Sequence, residues 1–126
     1  MRKVWWALGL LLVLGGLVWL IMAPVKPGPL DTFATCLKDN GATFYGAFWC
    51  PHCQAQKALF GRSARLLPYV ECSTPDGQGQ LEVCNNAGVE GYPTWVFGDK
   101  TRESGELSLE HLSEKTNCPL PEDENQ

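Results

Sequence analysis

Cys50-Pro51-His52-Cys53 sets two thiols with two residues between them. That spacing suits a redox-active dithiol, one half of a metal site, or a structural staple. A zinc site wants a second ligand pair at similar spacing. Cys72 and Cys84 are separated by eleven residues, and the other histidine is His111, so metal ligation is disfavoured. Covalent haem attachment needs a histidine directly after the second cysteine, and Gln54 stands there. Redox chemistry fits better. A thiol at the start of a helix meets unpaired backbone N–H groups and the positive end of the helix dipole. Both stabilise the thiolate, which is the nucleophile. Cys50 is therefore the expected nucleophile and Cys53 the resolving thiol. Pro51 stiffens the turn without donating an N–H. His52 adds positive charge or a hydrogen bond beside Cys50.

The elements around this motif are expected to hold it at a strand-to-helix turn. Asp31 caps a helix running to about Asn40, which Gly41 ends. The apolar run 42–49 reads as a buried strand. A helix starts at Pro51, a favoured first-turn residue, and continues to about Ala64. Residues 67–72 form a second strand, 73–80 a loop rich in turn formers, and 81–88 a short helix. Residues 93–98 and 101–105 make a hairpin around Gly98-Asp99, and Ser108 caps a last helix. One βαβ unit followed by a hairpin and a helix implies an α/β fold, a four-stranded mixed sheet flanked by helices.

The first 23 residues belong to another environment. Arg2 and Lys3 precede an uncharged run from Val4 to Ala23, about 30 Å as a helix and enough to cross a bilayer. Trp5, Trp6 and Trp19 sit near its ends, where indoles favour the interface. The leading charges put the N-terminus in the cytoplasm and the rest outside. An uncleaved signal anchor is favoured over a cleaved signal peptide, because Ile21-Met22-Ala23-Pro24 is a poor cleavage site. Residues 24–30, with three prolines, read as a stiff spacer. Residues 31–118 form the folded domain and 119–126 an acidic, disordered tail. From Pro24 onward eight Lys/Arg face fourteen Asp/Glu, a net charge near −6. With no basic stripe, nucleic-acid binding is not expected. Six cysteines in so short an exported stretch suit an oxidising compartment.

At this level of detail the chain resembles the thioredoxin superfamily. Trp49-Cys50-Pro51-His52-Cys53 is followed about forty residues later by Tyr92-Pro93-Thr94 at the start of a strand. The resemblance implies a thioredoxin-like fold in which Pro93 is cis and borders the redox cysteine. There an extended substrate segment can add backbone hydrogen bonds. It implies a groove formed by Trp49, Tyr92, Thr94 and Trp95, with Trp49 and Trp95 part-exposed. The runs "FYGAFWCPHCQAQKALFG", "YVEC" and "GYPTW" are similar to the thioredoxin-like domain associated with vitamin K epoxide reductase-like proteins, in its free-standing, membrane-anchored form. Only one membrane-spanning segment is present, so quinone reduction is expected in a separate membrane partner. One position departs from the superfamily's pattern. Six residues before the first cysteine many members carry a buried acid, and this chain has Phe44.

With Cys50 and Cys53 as one pair, Cys36, Cys72, Cys84 and Cys118 allow three connectivities. Cys72–Cys84 and Cys36–Cys118 are favoured as structural disulfides. A second redox pair at Cys72 and Cys84 is the alternative. The resemblance implies thiol–disulfide exchange with no cofactor beyond the redox-active disulfide. The Pro-His dipeptide resembles that of strongly oxidising periplasmic enzymes. The expectation is an oxidant of exported proteins in a bacterial-type inner or thylakoid membrane, its domain on the periplasmic or lumenal side, reoxidised by a quinone-linked partner. The alternatives are an exported reductase or isomerase of the cytochrome c maturation type, or a non-catalytic adaptor.

Overall fold

The computed structural model describes residues 1–122. The end of the acidic tail, residues 123–126, lies outside the described residues; before it, Leu120 packs against the core.

Helix α1 spans Arg2–Met22. Among the described residues it is the one helix long and apolar enough to cross a membrane, and none of its apolar window is buried in the protein. Residues 23–28 follow without regular structure. The domain proper then runs α2 (Asp31–Asp39), β1 (Thr43–Gly46), α3 (Pro51–Leu59), a 3-10 turn (Gly61–Leu66), β2 (Tyr69–Glu71), α4 (Glu82–Asn86), β3 (Thr94–Val96), β4 (Arg102–Ser104) and α5 (Leu109–Thr116).

The four strands form one mixed sheet in the order β2-β1-β3-β4. β1 pairs parallel with β2 and antiparallel with β3, and β3 pairs antiparallel with β4. This is the expected α/β architecture. The parallel pair needs a crossover, and α3 with the 3-10 turn supplies it. Phe44 and Trp95 are register partners and stack with centroids 4.9 Å apart. Phe97 extends the stack beyond Trp95, and Phe33 and Phe60 stack at 5.9 Å. These rings, with Leu37 and Leu112, are the largest side chains of the main core. Burying each is worth about 1.5–3 kcal/mol.

Four local features differ from expectation. Asp31 opens α2 rather than capping it; the cap is Leu30, whose N–H is caught by the Ser63 hydroxyl at 3.0 Å. Asp31 instead pairs with Arg65 through two hydrogen bonds of 2.7 and 2.6 Å. β1 stops at Gly46, because Phe48 and Trp49 turn outward and are half exposed. α3 stops at Leu59, because Gly61 takes a left-handed conformation, φ 51°, that interrupts helical hydrogen bonding. The 3-10 turn Gly61–Leu66 then replaces the helix's expected last turn. Ser108 does cap α5, its Oγ accepting the His111 N–H at 3.1 Å.

Two disulfides staple the domain. Cys36 in α2 is bonded to Cys118 just past α5, and Cys72 after β2 is bonded to Cys84 in α4. The first ties α2 to the end of α5, 82 residues away, and the second ties α4 to the end of β2, 12 residues away, so each limits how far a helix can drift.

Candidate active site

Cys50 and Cys53 are free thiols at the junction of β1 and α3. Cys50 is the N-cap residue of α3, with Pro51 at its first position. Its carbonyl accepts from Gln54 N–H at 3.1 Å, and its own N–H closes a turn onto Ala47 O at 3.0 Å. The sulfur thus stands at the positive end of the helix. Cys53 lies one turn inward. The two differ in access: Cys50 is 5% exposed, Cys53 1%. Burial pushes the Cys53 thiol up to about 12; the Cys50 neighbour adds to the rise, while a backbone hydrogen bond at Ala47 and the Lys57 charge oppose it.

The Tyr92–Pro93 peptide bond is cis and borders the nucleophile. The Cys50 Sγ–H points at Tyr92 O, 3.8 Å away. Next to it, the Trp49 indole N–H donates to Ser73 Oγ at 2.8 Å, and its ring meets Tyr92 edge-on at 6.0 Å. The Tyr92 hydroxyl donates to Gln80 Oε1. The loop between β2 and α4 therefore forms one wall of a groove at Cys50. Phe48 and Trp49, 51% and 50% exposed, form its lip.

Two groove assignments need correction. Trp95 is fully buried; it stacks between Phe44 and Phe97 in the core. Thr94 is also buried, its hydroxyl donating to Gly91 O at 2.8 Å. Thr94 and Trp95 are successive residues of β3 on opposite faces of the sheet, and both faces are covered there. Trp49 and Tyr92 remain at the groove. His52 is exposed on the first turn of α3, but its Nδ1 pairs with Glu106 Oε1 at 2.6 Å rather than with the Cys50 sulfur.

Several residues at the site carry no motif. Glu71, the last residue of β2, accepts from Phe48 N at 3.2 Å, Ser73 N at 2.8 Å and the Tyr69 hydroxyl at 2.6 Å. Burial opposes its ionisation, but these hydrogen bonds outweigh burial and hold its carboxyl below the usual range. Glu71 thereby pins the segment that carries Cys50. Burial, then the bond to Glu71, push the Tyr69 phenol well above its ordinary range, so it stays a donor. Gln56 is fully buried; its amide brackets Leu107, accepting from its N–H at 2.7 Å and donating to its carbonyl at 2.9 Å. That fixes α3 against the segment bearing Glu106. A glutamate inside the short apolar run "YVEC" was the one available signal: a charge on a strand within a core needs partners.

No protein-family model matches the chain. Among curated proteins, it is 48% identical over 89 residues to the thiol-disulfide oxidoreductase LTO1 of Arabidopsis thaliana, a match covering 67% of this chain and 23% of the relative. It is 32% identical over 71 residues to a protein disulfide-isomerase of Aspergillus niger, and 35% over 69 residues to one of Arthroderma benhamiae. Each of those matches covers 51% of this chain and 13% of the relative. The chain thus spans a quarter or less of the length of the relatives it matches. A mixed four-stranded sheet, a dithiol at a helix start and a cis-proline beside the first cysteine make a thioredoxin-like fold, and over that domain the chain is similar to part of a thiol-disulfide oxidoreductase.

Proposed function

We propose that the chain is a membrane-anchored oxidant that transfers its Cys50–Cys53 disulfide to exported proteins. The observation that carries this reading is the pairing of unlike thiols at one helix start. Cys50 sits at the groove beside Tyr92–Pro93, and Cys53 sits beneath it, out of solvent. A substrate thiolate can reach only the first.

The direction of electron flow rests on Cys50. Its sulfur stands at the positive end of α3, which favours negative charge there; His52 is paired with Glu106 instead. A stabilised thiolate stabilises the reduced form and makes the disulfide the stronger oxidant. Helix α1, with Arg2 and Lys3 in its first turn, supports an anchor with the domain on the exported side. The likeness of residues 44–61 to the domain associated with vitamin K epoxide reductase-like proteins supports a quinone-linked membrane partner that restores the disulfide.

The test is the reduction potential of Cys50–Cys53 in the full chain in detergent, equilibrated against glutathione. The expected value is near about −120 mV, as for strong periplasmic oxidants. A value near about −270 mV, the thioredoxin range, would reverse the direction and favour an exported reductase. Replacing Cys53 with Ala in cells should trap exported proteins on Cys50 as mixed disulfides.

A further inference from the structure

Exchange asks something of Cys53 that its surroundings resist. In each cycle it must carry a negative charge, yet it is buried, and Phe44 lies in the same core cluster where a titratable group would have served it.

Side chains from two elements meet at this sulfur. Gly46 leaves the space: a Cβ there would fall 2.8 Å from Tyr69 Cε2 and 2.9 Å from Cys53 Sγ. The sulfur and the tyrosine ring edge therefore flank the same backbone position of β1. Lys57 follows Cys53 by four residues on α3, so the two share a helix face. Its Nζ sits 3.3 Å from the centroid of the Tyr69 ring. The ring is fixed in turn by its hydroxyl bond to Glu71. Lys57 is half-buried, and among the described residues no carboxylate lies within 4 Å of its ammonium. It is a cation held by a ring: Glu71 feels its charge, but the two make no ion pair, the Glu71 oxygens being taken by Tyr69, Phe48 and Ser73.

We propose that Lys57 is a positioning residue for thiol–disulfide exchange: the Tyr69 ring holds its ammonium as the counter-charge of the Cys53 thiolate. This rests on the oxidoreductase reading above. In the forward direction a substrate thiolate attacks Cys50 Sγ. The Cys50–Cys53 bond breaks, a Cys50–substrate disulfide forms, and Cys53 leaves with the electron pair. A second substrate thiolate attacks the substrate sulfur of that mixed disulfide and releases Cys50. Two electrons pass from the substrate dithiol to the domain, and Cys53 takes its proton from water. In the reverse step Cys53 loses that proton and attacks Cys50 Sγ. A cation near the sulfur lowers the barrier in both directions, because the charged species is the same.

The charged and titratable groups facing Cys53 are Cys50 and Lys57 from α3, Tyr69 and Glu71 from β2, and Tyr92 before β3. Glu71 has the opposite sign, but its oxygens are engaged by Tyr69 and two backbone N–H groups. Lys57 is the cation of the set.

The experiment uses the full chain in detergent with glutathione joined to Cys50 as a mixed disulfide. Release of glutathione by Cys53 is followed across pH, since its rate follows the Cys53 thiolate fraction. Lys57→Met should move the profile up by about one pH unit and slow release about threefold at neutral pH, the loss of thiolate being part-offset by its greater nucleophilicity. Lys57→Arg should restore most of the rate. Lys57→Gln, which keeps a polar side chain without the charge, should behave as Lys57→Met and covers the case in which methionine disturbs folding. A folded Lys57→Met or Lys57→Gln protein with the parent's profile overturns the proposal. If the parent's own Cys50 accepts no glutathione, the oxidoreductase reading itself fails, which is a separate result.

Discussion

At the scale of single residues, the site separates reactivity from recognition. Cys50 and Cys53 are three positions apart but meet different surroundings, one at a groove and the other under β1. Phe48 lies just outside this machinery. Its N–H is held by Glu71, while its ring stands half exposed at the lip. The ring therefore contributes little to stability, and Phe48→Ala should stay within about 0.5 kcal/mol of the parent. Apolar side chains rimming a groove act when a chain is laid across them. Phe48→Ala should cut kcat/KM for a reduced, unfolded protein about three- to tenfold, equivalent to about 0.7–1.4 kcal/mol. A small dithiol, too short to reach the lip, should be slowed far less. Side-by-side rates with the two substrates check this. Equal slowing of both would mean that Phe48 shapes Cys50 rather than the substrate path.

At the scale of elements, two short helices and two crosslinks keep a small core in place. On the chain-entropy account, the Cys72–Cys84 closure, 12 residues apart, is worth about 3 kcal/mol, and Cys36–Cys118, 82 apart, about 4.5 kcal/mol. Paired alanine replacements should therefore lower Tm in that order. For a domain of this size each kcal/mol corresponds to about 4–8 °C. If both disulfides are structural, the Cys72→Ala, Cys84→Ala protein should still exchange thiols at Cys50 once folded, whereas a relay role would abolish turnover by a membrane partner. Thermal melts and a turnover assay on the same samples separate the two. The start of α3 was legible because Pro51 marks a first turn, and the groove's Tyr92–Pro93 because its spacing from the two cysteines resembles the thioredoxin superfamily's. Trp95 was misplaced because that resemblance places the segment and not the side chains, and both Thr94 and Trp95, on opposite faces of β3, are buried. The break at Gly61 was illegible, since a lone glycine in a helical pattern is usually tolerated. The meeting of Lys57, Tyr69 and Cys53 depends on how α3 lies across β1 and β2, which local spacing does not encode.

At the scale of the whole molecule, α1 and the domain impose different demands. The helix has no apolar surface buried against protein and needs a bilayer or a second apolar partner. The rest, with a net charge near −6, is repelled by anionic headgroups, which carry the same sign. On the anchored reading proposed above, the proline-bearing spacer between them would hold the groove clear of the surface while keeping it within reach. Confinement to a plane raises the effective concentration of Cys50 for any partner embedded in the same plane. Exchanging α1 for a cleavable signal should therefore leave the released domain able to oxidise a soluble dithiol at the parent's rate. Under the proposed function, the same change in cells should move Cys50 and Cys53 from mainly oxidised to mainly reduced, because the proposed membrane partner would then be met only by free diffusion. Alkylation of acid-quenched cells, read as a gel shift, reports that ratio directly. An unchanged oxidised fraction would mean that the oxidant is soluble and that α1 serves export alone. An oxidised fraction restored by a different transmembrane helix of equal length would mean that confinement suffices, with no recognition by the residues of α1 themselves.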